Sequence, residues 1–177
     1  MLEARTWRLH PPRRGEALIM ESALAHGAID LSPITDGLYI SDWPDESDAP
    51  LLAARGIRLL LSMHWRRPPP VYQQLPFSTK WLPTIDSPLT PIPVPTLRAG
   101  VLAALPVLRR GDGVLAHCVF GRHRGVAMAC CVLIGLGRSA EEAIALVEER
   151  RAAADPYAWY IQRRIKAFER DWTSQHR

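Results

Sequence analysis

Cysteine is scarce: three in 177 residues, at Cys118, Cys130 and Cys131, two of them adjacent. So few thiols cannot form a framework of paired disulfides, and the chain reads as a protein of a reducing compartment. Charge of one sign is also lacking. Lys plus Arg number 22 against 18 Asp plus Glu, a net +4, which is a mild bias toward anionic partners and too small to indicate nucleic-acid binding by itself. Long hydrophobic runs are absent as well. The longest, Gly125 to Gly137, is too short to span a bilayer and reads as a buried helix. The opening Met1-Leu2-Glu3-Ala4-Arg5 has an early acid and no apolar stretch, so a secretory leader is not expected and the expected location is the cytoplasm. Neither an internal repeat nor a linker divides the chain.

What the sequence does have is an ordinary globular composition, 47% hydrophobic and 23% charged, at a length that suits one domain. It also has proline: nine of 16 lie between Pro68 and Pro95. Proline lacks a ladder donor and disfavours helix at the residue before it, so that stretch must be mostly loop.

Strands are expected at Leu38-Tyr39-Ile40, entered through the Asp36-Gly37 turn, at Ile57 to Met63, at Lys80-Trp81-Leu82 and at Val114 to Cys118. Helices are expected over Glu16–His26 (weakly signalled), over Asp48–Arg55 stopped by Gly56, and from Pro95 to Gly111, with Pro106 predicting a kink or an early end. A further helix follows the loop after Cys118. Ser139 with Glu142 matches a capping box that starts a helix through about Ala154. Asp155-Pro156 caps the last helix, where Ile161, Ile165, Phe168 and Trp172 recur at helical spacing. Alternating strands and helices imply an α/β layer structure.

The informative stretch is His117-Cys118-Val119-Phe120-Gly121-Arg122-His123-Arg124-Gly125, between a strand and a helix. The amides of such a loop, with the unpaired N–H groups of the next helix, can converge on one anion. Gly121 allows a backbone conformation that a side chain would obstruct. Arg124 supplies a permanently charged planar fork for two phosphate oxygens. Cys118 sits where these dipoles point, which favours its thiolate, and a thiolate beneath a bound phosphate is a nucleophile aimed at phosphorus. The alternative for an isolated Cys is a small buried hydrophobe ending a strand; the neighbours at these spacings favour catalysis.

His117-Cys118, five residues, then Arg124 resembles the phosphate loop of the cysteine-dependent protein tyrosine phosphatase superfamily. Ile34-Thr35-Asp36-Gly37-Leu38-Tyr39-Ile40 and Gly56-Ile57-Arg58-Leu59-Leu60-Leu61 resemble strands of its compact dual-specificity branch, and Ser139 to Trp172 its closing helices. The resemblance implies an α/β fold with a central mixed sheet of four to five strands flanked by helices, the phosphate loop lying between a strand end and a helix N-terminus. It implies one catalytic domain over 1–177, with a core at about 34–172 and residues 1–33 as an extension packing on it. The implied activity is hydrolysis of phosphate monoesters through a phosphocysteine, without metal or cofactor. The implied substrate is a phosphorylated protein or a small phosphorylated metabolite, taken by a monomer with no nucleic-acid partner and no membrane span.

By the same resemblance Cys118, Arg124 and Asp86 are the catalytic set. Val119, Phe120, Gly121, Arg122, His123 and Arg124 bind phosphate, and His117 and Gly125 support them. Asp86, in Leu82-Pro83-Thr84-Ile85-Asp86-Ser87-Pro88, would give the leaving oxygen its proton; its plainer reading is turn chemistry before Ser-Pro. Asp36, Asp42 and Asp112 read as turn residues, and Asp45 and Asp48 as a loop and a helix start.

Gly125 departs from the family, which usually has Ser or Thr there to help the thiolate leave, so slower phosphocysteine hydrolysis is expected. The basic Arg122 and His123 resemble loops of branches acting on phosphoinositides or inositol pyrophosphates, and Gly-Arg-His-Arg is close to the Gly-Lys-His-Arg of the plant-and-fungal atypical branch. Equally, both side chains can face solvent and pair with local acids. Cys130 and Cys131 read as core residues, with a redox partner for Cys118 the lesser alternative. Arg66-Arg67 reads as a solvated loop or, less simply, a cationic rim. Trp159 and Trp172 read as helix packing or surface anchors.

Overall fold

The strands form where aliphatic residues alternate or run unbroken between turn residues. The computed structural model of the chain describes residues 29–175; the helix expected over Glu16–His26 lies outside them. β1 (Ser32–Thr35) and β2 (Leu38–Ser41) make an antiparallel hairpin across Asp36-Gly37. The sequence shows β2 and its turn but hides β1, because Pro33 argues against a strand; at the sheet edge the missing donor is tolerated. β3 (Ile57–Ser62), β4 (Ser78–Trp81) and β5 (Gly113–His117) add in parallel, and the mixed five-stranded sheet runs β1-β2-β5-β3-β4. β4 starts two residues earlier than the expected Lys80-Trp81-Leu82.

Among the described residues, one face of the sheet carries α1 (Ala49–Ala54) and the 3-10 turn Pro70–Gln73, whose Leu52 and Tyr72 pack with Ile57, Leu60, Phe77 and Leu115. The other carries α2 (Val94–Arg109), α3 (Arg124–Gly135), α4 (Ala140–Arg150) and α5 (Trp159–Gln175), over Leu38, Ile40, Leu61, Val114 and Ala116. β5 therefore buries both faces, which is why Val114-Leu115-Ala116 shows no polar alternation. α3 is buried from Arg124 to Ile134, as a helix apolar all round must be. That burial places the N-terminus of α3 rigidly beneath the loop after β5. No helix among the described residues is long and apolar enough to cross a membrane.

Three boundaries differ from expectation. α2 runs through Pro106 to Arg109 rather than ending there. Pro106 and Leu102 are both exposed, so the Leu102 carbonyl freed by the missing N–H faces water instead of a dry core. α4, opened by the Ser139 and Glu142 capping box, stops at Arg150, and Arg151 leaves the helix at φ −137° and ψ 104°. α5 begins at Trp159, after Asp155 Oδ1 accepts from the Ala158 amide at 3.0 Å. Its Ile161, Ile165 and Phe168 are buried, with Trp172 stacked on Phe168 at 5.5 Å.

Candidate active site

The parallel strands end at one edge, where Ser41 of β2 and Ser62 of β3 flank His117 of β5. A crevice outside the carboxyl ends of parallel strands is where open α/β sheets bind ligands. Cys118 follows directly and is 1% exposed. The loop 119–123 then turns into α3, whose first amides have no helical acceptor. Trp43 N–H donates to the Val119 carbonyl at 3.0 Å and pins the loop to the exit of β2. Gly121 has φ 58°, and a Cβ there would lie 2.5 Å from the Ser41 carbonyl oxygen and against the Arg151 guanidinium. Both conformation and space therefore demand glycine at this turn.

Arg124 is 4% exposed and directed by two carbonyls: Nη1 donates to Met63 O at 3.0 Å and to Thr84 O at 2.9 Å. Its Nε is buried and has no hydrogen-bond partner among the described residues. The nearest acid is Asp86, with Oδ2 at 3.7 Å from that Nε. A buried charged donor left unpaired is costly unless a ligand pairs it, and a guanidinium edge is shaped for two oxygens of one anion.

Asp86 lies on the loop after β4, where Thr84 Oγ1 donates to Met63 O at 3.0 Å. Its Oδ2 is 3.0 Å from His123 Nδ1, and its Oδ1 accepts from the Tyr160 hydroxyl at 2.8 Å. His123 Nε2 lies 3.6 Å from Asp155 Oδ2, and Arg122 Nη2 lies 3.4 Å from the same oxygen. The structure thus brings Asp86, His123 and Arg124 together, and Asp86 accepts hydrogen bonds from outside its own turn. Arg122 and His123 both pair with local acids, yet the Arg122 side chain stays 58% exposed. Burial, with the bond to Asp86 second, pushes the Tyr160 hydroxyl up to about 12.

Sequence reasoning missed Tyr160, Asp155 as an acid, and Arg151. Arg151 is 1% exposed. It donates from Nε to the Gly121 carbonyl at 2.7 Å, from Nη1 to Asp30 O and Ser32 Oγ, and from Nη2 to Asp30 Oδ2 at 2.8 Å. One side chain therefore fastens the turn at Gly121 to the approach to β1. The only signal in the sequence was position: an Arg at the end of an amphipathic helix, indistinguishable from a dipole-pairing residue.

His117 is fully buried and its two ring nitrogens have no partner among the described residues. Burial, partly opposed by the Cys118 main chain, pushes its imidazole down to about 3, so it is neutral. The ring packs edge-on against Trp43 at 5.5 Å. His64 also packs on Trp43, at 5.1 Å. Cys130 and Cys131 are fully buried in α3, and burial pushes both thiols up, which favours the core reading over a reactive one. A Cβ on Gly125 would lie 3.2 Å from His117 Cα, so glycine there lets α3 press against the end of β5. Arg67 sits over the Trp81 ring at 4.4 Å. Asp45 and Asp48 are a helix start: Asp45 Oδ1 accepts from the Ser47 amide at 2.7 Å, and Asp48 Oδ2 from the Asp45 amide at 2.9 Å.

No protein-family profile matches the chain, and no curated protein matches it by sequence. Solved structures do match. The chain is similar to PTPMT1 in complex with PI(5)P at a TM-score of 0.73 and 20% identity, over 83% of this chain and 99% of that one. It is similar to human DUSP28 at 0.70 and 21%, over 81% and 95%. It is also similar to human tyrosine phosphatase-like serine/threonine/tyrosine-interacting protein at 0.69 and 23%, over 81% and 97%. The fold is that of the compact dual-specificity phosphatases, as the motif resemblance implied.

Proposed function

We propose that the chain is a phosphatase that hydrolyses phosphate monoesters through a phosphocysteine, acting on phosphotyrosine and on phosphoserine or phosphothreonine in proteins. The observation that carries this reading is the buried, two-carbonyl-directed Arg124 whose Nε has no partner, at the foot of the loop that Cys118 opens. Such a guanidinium edge suits two oxygens of one phosphoryl group.

In the first step Cys118 Sγ forms a bond to phosphorus as the ester P–O bond breaks. Asp86 gives its proton to the departing oxygen. Charge on the transferring oxygens is met by Arg124 and by the loop amides of residues 119–123. In the second step the Asp86 carboxylate takes a proton from water as the water oxygen attacks phosphorus. The S–P bond breaks, and inorganic phosphate and the thiolate are released.

The experiment is hydrolysis of an aryl phosphate by the purified chain and by Cys118→Ser, followed by a panel of phosphopeptides, phosphoinositides and inositol phosphates. Activity that survives in Cys118→Ser sinks the nucleophile. Tight phosphate binding without turnover by the parent would instead support a non-catalytic phosphate-binding module, for which Gly125 is the one supporting residue. A second reading, a phosphatase of phosphoinositides or inositol pyrophosphates, is favoured by the likeness to PTPMT1 in complex with PI(5)P and by the exposed Arg122 cation beside the loop. Preference for those substrates that disappears in Arg122→Ala would select it.

A further inference from the structure

Asp86 is held by a residue far outside its own loop. Its Oδ1 accepts from the hydroxyl of Tyr160, 74 positions along the chain, at 2.8 Å. Oδ2 lies 3.0 Å from His123 Nδ1 and 3.7 Å from Arg124 Nε. Tyr160 comes from the first turn of α5, and its ring packs edge-on against His123 with centroids 5.6 Å apart. Its hydroxyl is also 3.0 Å from His123 Nδ1. The reaction proposed above uses Asp86 but gives Tyr160 no part.

A carboxyl group can carry its proton on either oxygen, and in this site the two oxygens are not equivalent. Only Oδ2 lies on the side of Arg124, where a phosphoryl group and its leaving oxygen would sit. A hydroxyl donating to Oδ1 fits the ionised carboxylate, and it fits the protonated acid when the proton is on Oδ2. A proton on Oδ1 would cost that bond and turn the Tyr160 hydroxyl onto His123 Nδ1, 3.0 Å away. Tyr160 remains a donor throughout the neutral range, since its hydroxyl loses its proton only at about 12.

We propose that Tyr160 is a positioning residue for the proton transfer: by donating to Oδ1 it favours the Asp86 proton on Oδ2 and holds the carboxyl beside Arg124. The proposal rests on the reading of Asp86 as the general acid. Tyr160 itself neither gains nor loses a proton. The Oδ2 proton passes to the leaving oxygen as the P–O bond breaks, and Oδ2 takes a proton from water when the phosphocysteine is hydrolysed.

The test compares the parent, Tyr160→Phe and Asp86→Asn on aryl phosphates of graded leaving-group basicity, from dinitrophenyl to phenyl phosphate. Acid assistance matters most for the most basic leaving group. Asp86→Asn is expected to lose about 100-fold in kcat/KM on phenyl phosphate and little on the dinitrophenyl ester. Tyr160→Phe, which keeps the ring packing on His123, is expected to follow the same trend at about tenfold. A loss in Tyr160→Phe that is uniform across the series, or no loss at all, overturns the proposal, because a merely structural role does not discriminate leaving groups. If Asp86→Asn shows no leaving-group dependence, the acid assignment falls and the inference falls with it. Dependence in Asp86→Asn that is missing from Tyr160→Phe removes the inference alone.

Discussion

Arg124 donates from Nη1 to the carbonyl oxygen of Thr84 at 2.9 Å, two residues before Asp86. The cation at the start of α3 therefore also holds the segment that carries Asp86. Met63 O accepts both from Arg124 Nη1 and from Thr84 Oγ1, each at 3.0 Å. This shared carbonyl ties the exit of β3, the loop after β4 and the start of α3 into one junction, so orienting the guanidinium and placing the carboxyl are linked tasks.

Arg124→Lys tests that link. An ammonium has the charge but not the planar fork, and it cannot serve two carbonyls and a phosphoryl group in the same geometry. The variant is expected to lose at least about 100-fold in kcat/KM on an aryl phosphate. Weakening the bonds to two buried carbonyls is expected to cost roughly 1–3 kcal/mol in urea unfolding. Retention of activity within a few-fold would show that position alone, without the fork, suffices.

Arg151 should act on the site without touching substrate. Replacing it by Met removes the donor to the Gly121 carbonyl and leaves Asp30 without its guanidinium. Asp30 is more than half exposed, so its own loss is screened by water; the buried loop carbonyl is the larger cost. We expect about 2 kcal/mol of destabilisation and a rise in KM larger than the fall in kcat, because the turn at Gly121 shapes the anion site. Unchanged KM in a folded variant would place the arginine outside that role.

Gly125 separates a missing hydroxyl from a missing side chain. Any Cβ there approaches His117 Cα to 3.2 Å, so Gly125→Ala and Gly125→Ser should be destabilised alike, by about 1 kcal/mol. Only the serine can assist departure of the Cys118 thiolate. Rapid-mixing measurements should show a faster second step, and a smaller burst, in Gly125→Ser than in Gly125→Ala. Equal bursts would show that the glycine is a packing device and does not limit turnover.

The parts of this fold that were legible in the sequence are those set by local pattern. The run Ile57 to Leu61, apolar apart from Arg58, becomes β3, Ser139 with Glu142 caps α4, and the spacing of Cys118, Gly121 and Arg124 turns up as one loop between β5 and α3. What was hidden depends on distant partners. Pro33 sits in a strand because β1 is an edge, and Pro106 sits in a helix because Leu102 faces water. Tyr160, which lies beside the helical repeat of Ile161, Ile165, Phe168 and Trp172 and carries no signal of its own, reaches Asp86 across 74 positions, and Arg151 reaches Gly121 across 30. Charge and side-chain reach are encoded locally, but the partner is chosen by the packing of α4 and α5 against the sheet.

That packing also predicts how stability should respond to acid. Burial lowers the affinity of the His117 ring for a proton to about 3, and His64 is lowered too, by burial first and then by the Arg124 charge. An unfolded chain takes up protons at these imidazoles near their ordinary value of 6.5, while the folded chain protonates His117 only near 3 and His64 less readily than in the unfolded chain. Stability is therefore fully present above 6.5 and is lost as pH falls below it, at no more than about 1.4 kcal/mol per pH unit for each group. Asp42 and Asp48, raised by burial, contribute with the opposite sign, so the total slope mixes both effects. His117→Asn isolates the imidazole, since the carboxylates are common to both proteins. Urea unfolding at pH 7 and pH 5 should show a shallower loss in the variant, by about 2 kcal/mol over that interval. Equal losses would mean that the folded protein lets His117 take up its proton in this range, and the ring beside Trp43 would then have to be wetter than its complete burial allows.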